Sequence, residues 1–240
     1  MYIRSLFFVM YAAVKELYPD VHLKIDHAIS RGYYCEFEDF GKEINSEQID
    51  RIKVRMKELI ECNLPFIRQG KQLDKILEEY HENGLDDKVR LYADSGWLYA
   101  YIYYLNGYPN YFHGHLLPST SFLTKFNLEK FNDGMLLRVP SEDRFTQLRD
   151  FVRQDKLFGI FQEHKEWAEI LGVDDIGKLN SFVKQGKGGD IIKISEALHE
   201  KKIANIATII AERKPVVKIV LIAGPSSSGK TTFTKRLAVQ

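Results

Sequence analysis

The sequence predicts an α+β fold, with an antiparallel sheet and helices over residues 1–139, a helical connector over 140–214, and the first strand, loop and helix of a P-loop α/β domain over 215–240. Three observations carry this. The hydrophobic period switches repeatedly between helical and extended spacing before residue 139. After Pro140 it is almost entirely helical. Finally, Gly224-Pro225-Ser226-Ser227-Ser228-Gly229-Lys230-Thr231 fits GxxxxGK[ST] at every fixed position.

Within 1–139, Leu6, Met10, Ala13 and Leu17 recur at helical spacing, and Pro19 stops that helix. Leu23, Ile25 and His27 then alternate with polar neighbours. Arg31-Gly32 supplies a turn and Tyr33 to Phe37 resumes the extended pattern, so Val21 to Phe40 reads as a hairpin. Asn45 with Gln48 has capping-box spacing before a helix striped by Ile49, Ile52, Met56 and Leu59. A further helix covers about Leu73 to His81 and ends at Asn83-Gly84. Trp97, Tyr99, Tyr101 and Tyr103 alternate along a strand, putting four rings on one face. Such a row could stack bases. Its strand neighbours carry almost no Arg or Lys, so ordinary sheet packing is the preferred reading. Asn106-Gly107 and Tyr108-Pro109-Asn110 mark turns, and Phe126 to Val139 reads as a second hairpin around an Asp133-Gly134 turn.

The connector is expected to be helical from Arg144 to Leu171, with Phe145, Leu148, Phe151 and Val152 on one side, and again from Ile191 to Arg213. Lys214-Pro215 ends it. Val216 to Ala223 is a β-branched run without helical period, and it reads as a buried strand feeding the glycine-rich loop.

That loop predicts nucleotide chemistry. Gly224 and Gly229 permit backbone geometries that a Cβ would penalise, so the amides from Gly224 through Pro225, Ser226, Ser227, Ser228 and Gly229 to Thr232 can converge on phosphate oxygens. Lys230 is the expected catalytic residue, reaching the β- and γ-phosphates, and the Thr231 hydroxyl would join the shell of Mg²⁺. ATP and Mg²⁺ are the cofactors this implies, with no zinc site.

Composition adds bounds. The 240 residues are 45% apolar and 28% charged with a formal net charge of +1, so no basic field argues for nucleic acid. Cys35 and Cys62 form no CxxC pair and read as buried thiols in a reducing compartment. The run Leu6 to Met10 is too short for a membrane span and lacks a cleavage signature, making the cytoplasm the default location.

Two resemblances sharpen these readings. Ala13-Val14-Lys15-Glu16-Leu17-Tyr18-Pro19-Asp20, Gly32-Tyr33-Tyr34, Arg55-Met56-Lys57-Glu58-Leu59 and Pro118-Ser119-Thr120-Ser121-Phe122 resemble the second additional domain, the editing module, of threonyl-tRNA synthetases. The likeness covers most of residues 5–139. Ile222 to Leu237 resembles the P-loop of the uridine kinase and phosphoribulokinase group. The order of the two parts, with the connector Ser195 to Lys202, is similar to a bacterial nucleoside (uridine) kinase family that usually also carries an N-terminal TGS domain. The resemblance therefore implies a piece of an ATP-dependent kinase acting on uridine or cytidine, inactive alone because residues beyond Gln240 would supply the base and second magnesium ligand.

In the synthetase domain a helix carries two histidines four residues apart, and a later segment carries a cysteine and a histidine four apart. The flanking matches put the first pair on Arg4 and Phe8 and the second on Phe112 and Leu116, none of which can replace an imidazole or thiol. The module is expected to keep the fold and lose editing, with a displaced metal site at His113 and His115 a minor option. Expected partners are a nucleoside triphosphate and a nucleoside substrate. The alternatives are a tRNA- or RNA-binding module, residual aminoacyl-tRNA deacylation, or a structural module that self-associates.

Overall fold

The computed structural model describes residues 1–38, 43–93, 95–141 and 147–240. Backbone contacts divide the chain into two units, Met1–Leu179 and Asn180–Gln240.

The first unit is α+β with antiparallel sheets. It opens with α1 (Tyr2–Leu17), whose Leu6, Met10 and Ala13 are buried as their spacing requires; Phe8, Val9 and Ala12 are buried too, because this helix runs through the core. Next come β1 (His22–Ile29) and β2 (Gly32–Glu38), an antiparallel hairpin closed by Ser30 and Arg31, both at positive φ. The helix α2 (Ser46–Glu61) follows, and both halves of the Asn45/Gln48 capping box are formed. Two elements without a clear hydrophobic period come before and after α3 (Leu73–Glu82): the strand β3 (Ile67–Gln72) and the helix α4 (Asp86–Ala93). β4 (Tyr99–Leu105) and the short β5 (Tyr108–Asn110) lead through a 3-10 turn at Thr120–Phe122 to β6 (Asn127–Phe131) and β7 (Gly134–Arg138), then α5 (Asp155–Leu171) and the start of α6 (Ile176–Lys184).

Two sheets form instead of one. The larger has the order β1-β2-β7-β6 and the smaller β3-β4-β5. β7 is buried on both faces. Leu137 and Met135 join Cys35 in the main core with α1 and α2, whereas Leu136 joins Tyr34, Ile29 and Phe131 under Phe158 and Phe161 of α5. That double burial is why Gly134-Met135-Leu136-Leu137 shows no alternation. The β6–β7 turn differs from the expected Asp-Gly form, since Phe131 pairs with Gly134 and the two loop residues are Asn132 and Asp133.

The helix expected from Arg144 is shorter. Glu142 to Thr146, including Arg144 and Phe145, lie outside the described residues. Leu148 is held extended by a bridge to Pro140, and Arg149 is tied to β7 through Arg138, so Phe151 and Val152 precede α5 rather than forming part of it. Of the two cysteines, Cys35 is buried, with burial pushing its thiol pKa up, whereas Cys62 is exposed at the end of α2.

In the second unit, α7 (Gly188–Glu212) carries the buried Ile203, and α8 (Lys230–Val239) is tied to α7 by the Arg236–Glu200 ion pair. The strand expected over 216–223 is absent. A strand needs a ladder partner, and none of the described residues pairs with this run; Val216 is 85% and Leu221 89% exposed. Residues 216–240 therefore form a loop followed by one helix. Among the described residues, no helix is long and apolar enough to cross a membrane.

Candidate functional site

The four positions expected to mark a deacylase centre do come together. Segments 4–8 of α1 and 112–117 lie side by side, with the Ser5 hydroxyl accepting from the Leu117 amide at 2.9 Å and the Arg4 guanidinium donating to the His113 carbonyl. The rings of Phe8 and Phe112 have centroids 5.0 Å apart, and Leu116 is buried in the same core. An aromatic pair thus occupies two of the positions onto which the resemblance maps an imidazole and a thiol. His113 and His115 are exposed beside it, and no group of three His, Cys, Asp or Glu side chains among the described residues could hold a metal.

Beside the filled centre a cavity of about 470 Å³ remains, walled by β1, α4 and the segment 110–112. Tyr11, one helical turn beyond Phe8, lines it together with Asn110, Phe112, Lys24 and Asp87. The Tyr11 hydroxyl and Asp87 Oδ1 are buried without a hydrogen-bond partner among the described residues, while Asp87 Oδ2 accepts from Lys88 at 2.7 Å. Burial, reinforced by the Asp87 carboxylate, pushes the Tyr11 phenol up in pKa and keeps it neutral. A buried acceptor and a neutral hydroxyl left open in this way suit a ligand carrying its own donors. His22, bonded to Glu38 at 2.7 Å, and Lys24 line the β1 side of the same cavity, so its wall offers both donors and acceptors to a polar ligand.

The aromatic row is divided by its surroundings. Tyr103 is 3% exposed, its hydroxyl donating to the Gly114 carbonyl and its ring 6.3 Å from Phe112. Tyr99 and Tyr101 are 65% and 55% exposed. Trp97 lies outside β4 and meets Tyr92 of α4 edge-on, so it does not continue the row. Along the strand itself almost no cation neighbours these rings. One arrives across the sheet: β3 pairs with β4, and the Arg68 guanidinium stacks 3.5 Å from the Tyr101 ring centroid.

In the second unit the glycine-rich loop is shaped by two residues at positive φ, Ser227 and Gly229, and α8 starts immediately after Gly229 with no side-chain cap on its first amides. A Cβ at Gly224 would stand 2.9 Å from the Ser228 hydroxyl, so the loop closes tightly there. Lys230 donates across it to the Pro225 carbonyl at 2.6 Å. Gly224, Gly229, Lys230 and Thr231 are thus gathered in one short turn, and the open amides at the start of α8 fit an anionic ligand.

No protein-family model matches the chain. It is 30% identical to a threonine–tRNA ligase of Acinetobacter baylyi over 185 residues, covering 77% of this chain and 28% of that protein. With the threonine–tRNA ligase of Pelobacter propionicus it shares 31% over 189 residues, covering 78% and 28%, and with that of Streptococcus sanguinis 30% over 189, covering 77% and 27%. The chain carries a threonyl-tRNA synthetase-like region. It spans less than a third of the length of these relatives. They are ligases that join threonine to tRNA, and none is a nucleoside kinase, which overturns the expectation of a uridine or cytidine kinase. That expectation was drawn from a short phosphate-loop motif and the order of two resemblances; the motif implies a bound anion and leaves the reaction unspecified.

Proposed function

We propose that the chain binds tRNA through its synthetase-like region without deacylating it. One juxtaposition carries this reading: Arg4, Phe8, Phe112 and Leu116 gather where the resemblance puts editing chemistry, yet offer packing in place of ligands, beside a cavity that still holds an unpartnered hydroxyl and carboxylate oxygen. The cavity would receive the tRNA's 3′ end, with Tyr11 accepting and Asp87 drawing donor groups. The test uses the 1–240 chain, tRNA charged with serine or threonine, and added Zn²⁺. Saturable binding that leaves the ester intact is expected, and release of amino acid faster than in buffer would overturn the reading.

A second site is proposed at residues 224–232. The uncapped α8 amides and the left-handed Gly229 support binding of ATP phosphates with Mg²⁺, Lys230 turning from Pro225 to the phosphates and Thr231 facing the metal. Calorimetry with ATP and Mg²⁺ tests it: binding lost in Lys230→Ala is expected, and no heat from the unaltered chain would remove the proposal.

A further inference from the structure

We propose that the open face of the β3-β4 sheet is a stacking platform for unpaired RNA nucleotides, built by Tyr99, Tyr101 and Arg68; the proposal rests on the tRNA reading and says where the strand outside the cavity lies. β3 and β4 pair antiparallel with Gln72 opposite Tyr99, Gly70 opposite Tyr101 and Arg68 opposite Tyr103. The residues of β4 on this face are therefore tyrosines, while those of β3 are a cation, a glycine and an amide. Gly70, opposite Tyr101, carries no side chain, so on this side β3 leaves the ring of Tyr101 open, with a Cβ there meeting it only at ordinary contact distance, 3.4 Å.

Sheet packing does not account for these rings. On the other face Ala100 and Ile102 are buried, with α3 against that side of the strand and Lys71 bridging Glu79 and Tyr104; on the odd-numbered side only the far end of the strand, Tyr103 and Leu105, enters the core. Tyr99 and Tyr101 stay exposed on the odd-numbered side. Leaving two tyrosine rings in water forfeits burial that a sheet would ordinarily collect, and the arrangement matches what unpaired nucleotides need. Neighbouring same-face positions on a strand are about 7 Å apart, a spacing that lets two splayed bases each take one ring. A guanidinium stacked on Tyr101 adds both a second planar surface and a positive charge for the intervening phosphate.

The platform also points somewhere. Its third tyrosine, Tyr103, turns inward, with its ring 6.3 Å from Phe112, which lines the cavity. A strand lying on Tyr99 and Tyr101 thus runs toward the loop 112–115 and the cavity mouth. This charge arrangement is local, a single arginine among aromatics, which is compatible with a chain of net charge +1.

The experiment measures anisotropy of a short labelled single-stranded RNA ending in CCA, and separately of deacylated tRNA, with the full 1–240 chain. The double variant Tyr99→Ala/Tyr101→Ala is expected to weaken oligonucleotide binding tenfold or more, and Tyr99→Phe/Tyr101→Phe to preserve it. Arg68→Ala should weaken binding and flatten its salt dependence. Circular dichroism confirms that the variants fold, which the exposure of all three side chains favours. Binding to both probes with no change in the alanine variant overturns the platform and leaves tRNA binding standing. Tyrosine-dependent binding of the oligonucleotide without binding of tRNA supports the platform and removes the tRNA reading. Binding to neither, or a dimer in solution that the alanine variant dissociates, overturns the platform.

Discussion

The Thr120 hydroxyl donates to the Leu59 carbonyl at 2.8 Å while accepting from the Leu64 amide at 2.9 Å, and the Thr120 amide returns a bond to the Leu64 carbonyl at 2.9 Å. One fully buried side chain thereby closes the end of α2 and pins the loop that leads into β6. Thr120→Val keeps the shape and orphans both partners, so it should cost about 1–3 kcal/mol, read as a lower denaturation midpoint with unchanged slope.

Phe8 is fully buried with Phe112 and Phe66 as ring neighbours at 5.0 and 6.0 Å. Phe8→Ala should destabilise the first unit by about 3–5 kcal/mol through lost transfer energy and a residual cavity. Phe112 is only half-buried, and Phe112→Ala should cost clearly less. Equal losses in urea titration would contradict the packing described.

Gly134 sits under the Cys35 carbonyl, where a Cβ would fall 2.4 Å away and also meet the Tyr34 ring. Its φ is unexceptional, so the requirement is for space. Gly134→Ala should push β2 from β7 and cost roughly 1–3 kcal/mol, with earlier amide exchange at Tyr34 and Leu136.

Glu38 accepts from His22 at 2.7 Å and faces Lys24 at 2.9 Å across the β1–β2 pair. The His22 hydrogen bond, with Lys24 adding to it against the opposing effect of burial, lowers the carboxyl from 4.5 to about 2. A depressed folded value stabilises the fold above the unfolded value, and that contribution disappears as pH falls from about 4.5 toward 2. Thermal melts should therefore show an acid limb in this window that is shallower in Glu38→Gln.

Much of this was legible in the chain. The Asn45/Gln48 box, the Leu6/Met10/Ala13 stripe and both hairpins announce themselves through local chemistry or period. β3 did not, because Ile67-Arg68-Gln69-Gly70-Lys71-Gln72 has no apolar alternation and owes its strand to pairing with β4. The same cause hid Arg68 from the aromatic row, since cross-strand neighbours lie more than thirty residues apart in sequence. The run 216–223 erred in the other direction. Its β-branched composition is that of a strand, and composition cannot supply the neighbour that makes one. At the candidate site, the convergence of residues 4–8 with 112–116 was implied only by resemblance. The open hydroxyl of Tyr11 and the free oxygen of Asp87 carried no sequence signal, because a residue left unpaired is defined by what surrounds it.

The two phenylalanine rings that meet between α1 and the loop at 112 also bear on the history such a module can have. A single change of Phe8 to histidine would set a lone imidazole among hydrocarbon, with neither metal nor thiol to receive it, and would open a void at the same stroke. A first single substitution toward a metal- or thiol-bearing centre at this place is thus penalised by packing before any second ligand could reward it.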